Sequence, residues 1–345
     1  MKSFILKGFE LLNLFPLFNK YTVNTATVFM LHSVNTTGDE GGCEISIDRL
    51  VNFLTYLKKE AYNVISLAEY VEAIKNNQST YKTVVFTVDD GYRNFYRSYF
   101  PIFREFDFPV TIFLTTDFIE NRIFLWWDKL DFALKKTSHV SLDLTREGLG
   151  RLNLNKNGDR VAALKKILAH CKSIPDQARR TLVDELVARL EVDISDQPRG
   201  KYEPLSWQEI NEMRQHKIEF YPHTKTHPIL SRLTYDQKLS EIEGSKRFLE
   251  DRLSQPLDIF SYPNGKPEDI DPDTIKAVRE SGYTVAVTSI PGFNNTQAGN
   301  NLFMLHRFAI PENPLWFKQY VSGLEFVKNR LRDLRSLKPF RNIRK

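Results

Sequence analysis

The chain has 345 residues, 41% of them hydrophobic and 26% charged, which suits an ordinary globular protein of one large domain or two smaller ones. Its net charge of +5 gathers at one end, where eight Lys or Arg face the single acid Asp333 between Phe326 and Lys345; the near-neutral body argues against a nucleic-acid-coating protein. The two cysteines, Cys43 and Cys171, cannot build a disulfide framework or a Cys-rich metal site.

Residues 1–24 begin "MKSFILKGFELLNLFPLFNKYT" and are apolar, but Glu10 and Asn13 interrupt the run and no small-residue cleavage site follows. The segment is too short and too polar to span a membrane. Phe4, Leu11, Leu12 and Phe15 are expected to share one helical face, with Pro16 ending the segment. An amphipathic helix packed on the body is one reading, and a membrane-surface helix is the other. With no leader recognised, a cytoplasmic location is expected, with peripheral contact to the inner face of the membrane as an extension of it.

Downstream, short apolar runs recur at 27–32, 83–88, 110–115, 217–222, 257–263, 283–289 and 302–310, and all read as strands. Helical patterns separate most of them, as in "IDRLVNFLTYLKKE", "SLAEYVEAIKNN" and "YDQKLSEIEGSKRFLEDRL". In "DPDTIKAVRESG" the Asp-Pro start and Gly282 stop mark both helix ends. Continuous apolar strands alternating with helices predict a parallel sheet covered by helices, and seven strands suggest a (β/α) barrel over 25–325. From about 120 to 204 no barrel strand is evident; "LWWDKLDFALKK", "VAALKKILAHCKS" and "DQARRTLVDELVARLEV" predict a helical insertion. Residues 326–345 form a basic tail in which Val327, Leu331 and Leu334 make a narrow apolar stripe, so both ends of the chain raise the question of membrane contact.

In parallel α/β architectures functional groups gather at the C-terminal strand ends. Here those ends present His32, Asp89-Asp90-Gly91, His223 with His227, "SYPNG", and His306 with Arg307. Adjacent carboxylates at the mouth of an apolar strand repel each other unless a cation neutralises one of them. His223 and His227 are four apart, so a helical turn would set both rings on one face; an unrelated surface pair is the plainer reading. With Asp90 they would make a set of two histidines and one carboxylate that leaves a coordination position open. Trp126, Trp127 and Asp128 could stack on sugar rings or form the insertion's core. Trp207 is expected in the core.

"FTVDDG" and "HTKTHP" closely resemble the first two signature motifs of the polysaccharide deacetylases, the NodB-homology, carbohydrate esterase family 4-like enzymes. "FSYPNG" is similar to the third motif, and "DPDTIKAVRESGYTVAVTS" to the family's helix-strand return; together the likeness covers roughly residues 25–310. The resemblance implies a distorted (β/α)7 barrel with the helical insertion, and hydrolysis of N-acetyl groups on a poly- or oligosaccharide. By motif position, Asp90, His223 and His227 would hold a divalent metal, usually zinc, and Asp89 would be the general base. The backbone N–H of Asn264 would help bind the oxyanion, with Tyr92, Tyr262 and His32 on the substrate side. His306 would be the general acid. Ser261 stands where many members carry an arginine that orients the catalytic aspartate, and Arg307 could substitute for it. Two other readings stay open: a deacetylase of a lipid- or nucleotide-linked sugar, and a non-catalytic carbohydrate-binding relative.

Overall fold

A computed structural model describes residues 3–32, 45–194, 198, 200–297, 299 and 301–336. Cys43 and the tail beyond 336 lie outside the described residues. Helix α1 (Ser3–Leu11) and a 3-10 segment (Phe15–Thr22) lead into β1 (Thr25–Leu31). Then follow α2 (Ile47–Lys59), β2 (Asn63–Val64), α3 (Leu67–Lys75), β3 (Thr83–Val88), α4 (Phe100–Phe106), β4 (Val110–Leu114) and α5 (Thr116–Ile119). The middle of the chain holds α6 (Trp126–Lys136), β5 (Ser141–Leu144), β6 (Gly150–Asn153), α7 (Asn157–Ser173) and α8 (Asp176–Arg189). The alternation resumes with α9 (Trp207–Met213), β7 (Ile218–Pro222), α10 (Tyr235–Leu253), β8 (Ile259–Ser261), α11 (Pro272–Glu280), β9 (Val285–Val287), β10 (Asn294–Asn295) and β11 (Phe308–Ala309). Helices α12 (Pro314–Val321) and α13 (Leu324–Ser336) close the chain.

Every residue of β1, β3 and β4 is buried, as a parallel sheet covered on both faces requires. Parallel ladders join β11, β1, β3, β4 and β7, and β8 pairs in parallel with β9. All seven predicted runs therefore contain a strand of a parallel α/β fold. Among the described residues no ladder joins β7 to β8, and an isolated bridge links Val287 to Leu305. The helix boundaries follow their signals: Ser66, Ser206 and Thr234 each close a capping box, and the Asp271 carboxylate accepts from the Thr274 N–H before α11 ends at Gly282, φ 77°.

Two expectations are corrected. The region around 120–204 is not helical throughout: β5 and β6 form an antiparallel hairpin outside the main sheet. Leu142, Leu144 and Leu152 of that hairpin join Trp126, Ile167 and Leu186 in one apolar cluster, because alternate strand residues and one helix stripe face the same way. At the N-terminus, Phe4, Leu11, Leu12 and Phe15 do not share a face. Helix α1 packs through Leu6 and Phe9 onto Phe15, Phe18, Leu315 and Leu324, whereas Phe4, Leu11 and Leu12 face solvent. The helix stops at Leu11 and Asn13 takes a left-handed φ of 49°, so Phe15 swings back under the helix.

Candidate active site

Asp89 and Asp90 stand where β3 ends, and the Asp89 N–H donates to the Leu31 carbonyl at 3.0 Å. The next two residues are left-handed, Asp90 at φ 75° and Gly91 at φ 92°. A Cβ on Gly91 would lie 2.7 Å from Ile119 and 2.8 Å from Leu114, so glycine is needed for close approach as well as for its backbone angle. This turn sends the two neighbouring carboxylates to different partners.

Asp89 faces Arg307. The guanidinium Nη1 and Nη2 donate to Oδ1 and Oδ2, each at 2.8 Å. Its remaining donors reach the Thr288 carbonyl at 2.8 Å, the Thr87 hydroxyl at 3.0 Å and the Ser261 hydroxyl at 3.1 Å. Both ends of the pair are buried. Burial alone would raise the Asp89 carboxyl, but the charge and hydrogen bonds of Arg307 outweigh it and hold the group well below the usual carboxylate range. Arg307 precedes the short β11 rather than ending a strand, and spans the distance by its side-chain length.

Asp90 faces His223 and His227. Its Oδ1 lies 3.7 Å from Nε2 of His223 and 3.4 Å from Nε2 of His227, and one ligand atom from each residue lies within 4.8 Å of the others. The i,i+4 spacing does not act through a helix. Residues 223–227 form a bend with Thr224 at φ 66° and His227 at φ 55°, which folds the loop tightly enough to bring the rings to 4.8 Å. His223 Nδ1 lies 2.8 Å from the Ser261 carbonyl, a contact that suits an Nδ1–H donor and leaves Nε2 as the free lone pair. The loop is anchored by Glu241 of α10, whose carboxylate accepts from the Lys225 and Thr226 N–H groups at 2.9 and 2.8 Å and from the Thr226 hydroxyl at 2.7 Å.

These donors fit a divalent cation. Asp90 Oδ1 is buried without a hydrogen-bond partner. Burial, with Asp89 and Asp128 nearby, pushes the Asp90 carboxyl well up; a cation would reverse that. Burial also lowers His223 to about 4 and His227 well below its ordinary value, so both rings are neutral near neutral pH, as ligands must be.

The remaining predicted residues divide. Tyr92 is buried and donates to Asp128 Oδ2 at 2.7 Å while accepting from Trp127 Nε1 at 3.0 Å. The Trp127 ring lies 4.5 Å from that of His227, so the first turn of α6 forms one wall of the site, whereas Trp126 turns into the insertion core under Arg179 at 4.8 Å. His32 follows the C-terminal end of β1, next to the Leu31 carbonyl that accepts from the Asp89 N–H. Asn264 is left-handed at φ 61°, and its side chain accepts from Lys172 of α7 at 2.9 Å. The Tyr262 side chain turns away into the apolar cluster of Phe260, Leu230 and Ala277. The main chain of His306 is bracketed by Asn294, at 2.8 and 2.9 Å, and its ring lies against Gly292. Among the described residues it shares no hydrogen bond or ion pair with Asp89, Asp90, His223 or His227. Trp207 is half-buried and donates to Glu120 at 2.7 Å. Glu241, Lys172 and Thr87 are functional neighbours that sequence reasoning did not single out.

With this geometry in place, the comparisons define the class of protein. The sequence matches the polysaccharide deacetylase family across residues 76–286, more than half of the chain, and the chain belongs to that family. It is 33% identical over 111 residues to YxkH of Bacillus subtilis (strain 168), whose own assignment as a polysaccharide deacetylase is provisional. That match spans 32% of this chain and 38% of the length of YxkH. The fold is similar to that of the Streptococcus pyogenes deacetylase PplD, solved with acetate, at a TM-score of 0.57 and 19% identity, covering 91% of this chain and 99% of PplD. It is also similar to IcaB from Ammonifex degensii, at a TM-score of 0.55 and 14% identity, covering 87% and 97% of the two chains.

Proposed function

We propose that this chain is a metal-dependent hydrolase that removes N-acetyl groups from a poly- or oligosaccharide of the cell-surface or exopolysaccharide type. The observation that carries the reading is the division of the two adjacent carboxylates, Asp89 to Arg307 and Asp90 to two neutral histidines. Asp90, His223 and His227 would hold the cation, with zinc suited to such a set. When bound, the cation would polarise the acetyl carbonyl and acidify an attacking water.

The chain's own groups do the rest. Asp89, kept ionised and aimed by Arg307, takes a proton from the water as its oxygen bonds to the acetyl carbon. By motif position the N–H of Asn264, whose residue is left-handed at φ 61°, would donate to the developing oxyanion. The carbon–nitrogen bond then breaks, the amine takes a proton, and acetate leaves. For that proton His306 is the candidate by motif position. Support for the substrate class comes from the fold's likeness to deacetylases, one of them solved with acetate.

The test is acetate release across a panel of N-acetylated oligosaccharides and lipid- or nucleotide-linked sugars, with metal content assayed in the same samples. Release from the oligosaccharides that a chelator abolishes and added zinc restores is expected. Turnover confined to lipid- or nucleotide-linked sugars would replace the substrate class. Metal-loaded protein that binds the glycans and releases no acetate would mark a binding protein instead.

A further inference from the structure

We propose that the exposed face of α1, with the 3-10 segment that follows it, docks on an anionic lipid surface. The four side chains that carry this are Phe4, Leu11, Leu12 and Leu17, exposed by 86%, 88%, 67% and 65%. Helix α1 covers only its Leu6 and Phe9 side against the body and leaves these apolar side chains out, beside its own Lys7 and Glu10. Val23, ahead of β1, and Tyr81, ahead of β3, are exposed as well. The two meet, because the Asn24 N–H donates to the Thr80 carbonyl at 2.7 Å and the Thr80 hydroxyl to the Thr25 carbonyl at 3.2 Å.

Cations border this surface. Lys7 and Lys20 belong to it, with Lys20 5.2 Å over the Tyr21 ring. Helix α13 shares Leu324 with the cluster under α1, and it carries Lys328, Arg330 and Arg332. Glu10 is paired with Lys318 at 2.7 Å, and Lys328 is itself engaged by Glu325 at 2.7 Å. Exposed Phe and Leu side chains beside Lys and Arg are what an anionic interface binds. A second copy packed patch to patch would bring like charges together. Among the described residues no helix is long and apolar enough to cross a membrane, so the contact is superficial.

The experiment uses the full chain in co-sedimentation with vesicles of phosphatidylcholine alone and with phosphatidylglycerol added, at low and high salt. We expect at least about tenfold tighter binding to the anionic vesicles, weakened by salt, as several cations would give. A Phe4→Ser, Leu11→Ser, Leu12→Ser triple variant should lose that binding while keeping its near-ultraviolet circular dichroism. No binding to anionic vesicles at low salt overturns the proposal, as does undiminished binding by the folded triple variant. A concentration-dependent dimer that the triple variant abolishes, without vesicle binding, would assign the surface to a second copy. None of these outcomes depends on acetate release, so the deacetylase reading stands or falls separately.

Discussion

Arg307 grips both oxygens of Asp89 while its Nη2 also reaches the hydroxyl of Ser261, the position where many relatives carry the orienting arginine. The guanidinium thus arrives from a different segment of the chain at the place the motif leaves empty. Arg307→Met removes one partner of a buried pair and should cost about 3–5 kcal/mol of stability. The pH dependence should also change sign. In the native protein the Asp89 carboxyl sits below its unfolded value, so the pair stabilises above about pH 4 and is lost as pH falls through the lower folded value. Without Arg307, burial dominates and the carboxyl rises, so stability should fall as pH climbs from about 4 toward neutrality. Denaturant midpoints across that range for both proteins check this.

The two carboxylates should separate cleanly by mutation. Asp89→Asn is expected to retain the metal and lower turnover by about 10²–10⁴-fold, the usual worth of a general base. His223→Ala should lose the metal itself. Elemental analysis beside acetate release distinguishes them, and an Asp89→Asn protein with undiminished turnover would remove it as the base.

Glu241 never meets the cation, yet it holds the loop that carries His227 through two N–H groups and a hydroxyl. Glu241→Ala should weaken metal affinity by about 10–100-fold, as loss of an outer-shell partner does. Titration with a chromophoric zinc chelator measures it. Glu241→Gln, which keeps an acceptor, should recover part of the loss.

Gly265 follows Asn264 at φ 64°, and a Cβ there would lie 2.8 Å from the Ser289 nitrogen. Gly265→Ala should cost about 1–3 kcal/mol and disturb the Asn264 turn. Gly148→Ala is the control: it is also left-handed at φ 75° but has nothing within 4 Å of the added carbon, so only the backbone cost applies. Thermal unfolding of the two variants gives the comparison.

The seven strand runs and the cluster at their ends were legible because a buried parallel strand needs an unbroken apolar run and its polar end stands out. Arg307 came into view only through the family resemblance, which implies an arginine at the position of Ser261, and through its place in the last predicted strand. What brings His223 to His227 was not: their spacing suggested a helical turn, and the loop closes instead through left-handed Thr224 and His227. The docking face of α1 was hidden for another reason. Apolar residues lie on more than one of its sides, and the choice between them is made by Leu315 and Leu324, at the far end of the chain. Glu241 and Lys172 are ordinary surface-type residues in the sequence, and only tertiary contact gives them their places.

The insertion touches the site at three points. Trp127 of α6 lies on His227, Lys172 of α7 holds Asn264, and Arg180 of α8 reaches the Thr226 hydroxyl at 3.2 Å. Opening that unit therefore loosens a metal ligand and the turn beside it together. Any cation gripped by Asp90, His223 and His227 is a thermodynamic brace for α6, α7 and α8, none of which supplies a ligand. At a free cation concentration 100 times the dissociation constant, that linkage is worth about 2.7 kcal/mol. Hydrogen exchange of the insertion's core amides should slow when the metal is added, even though those amides are remote from the ion.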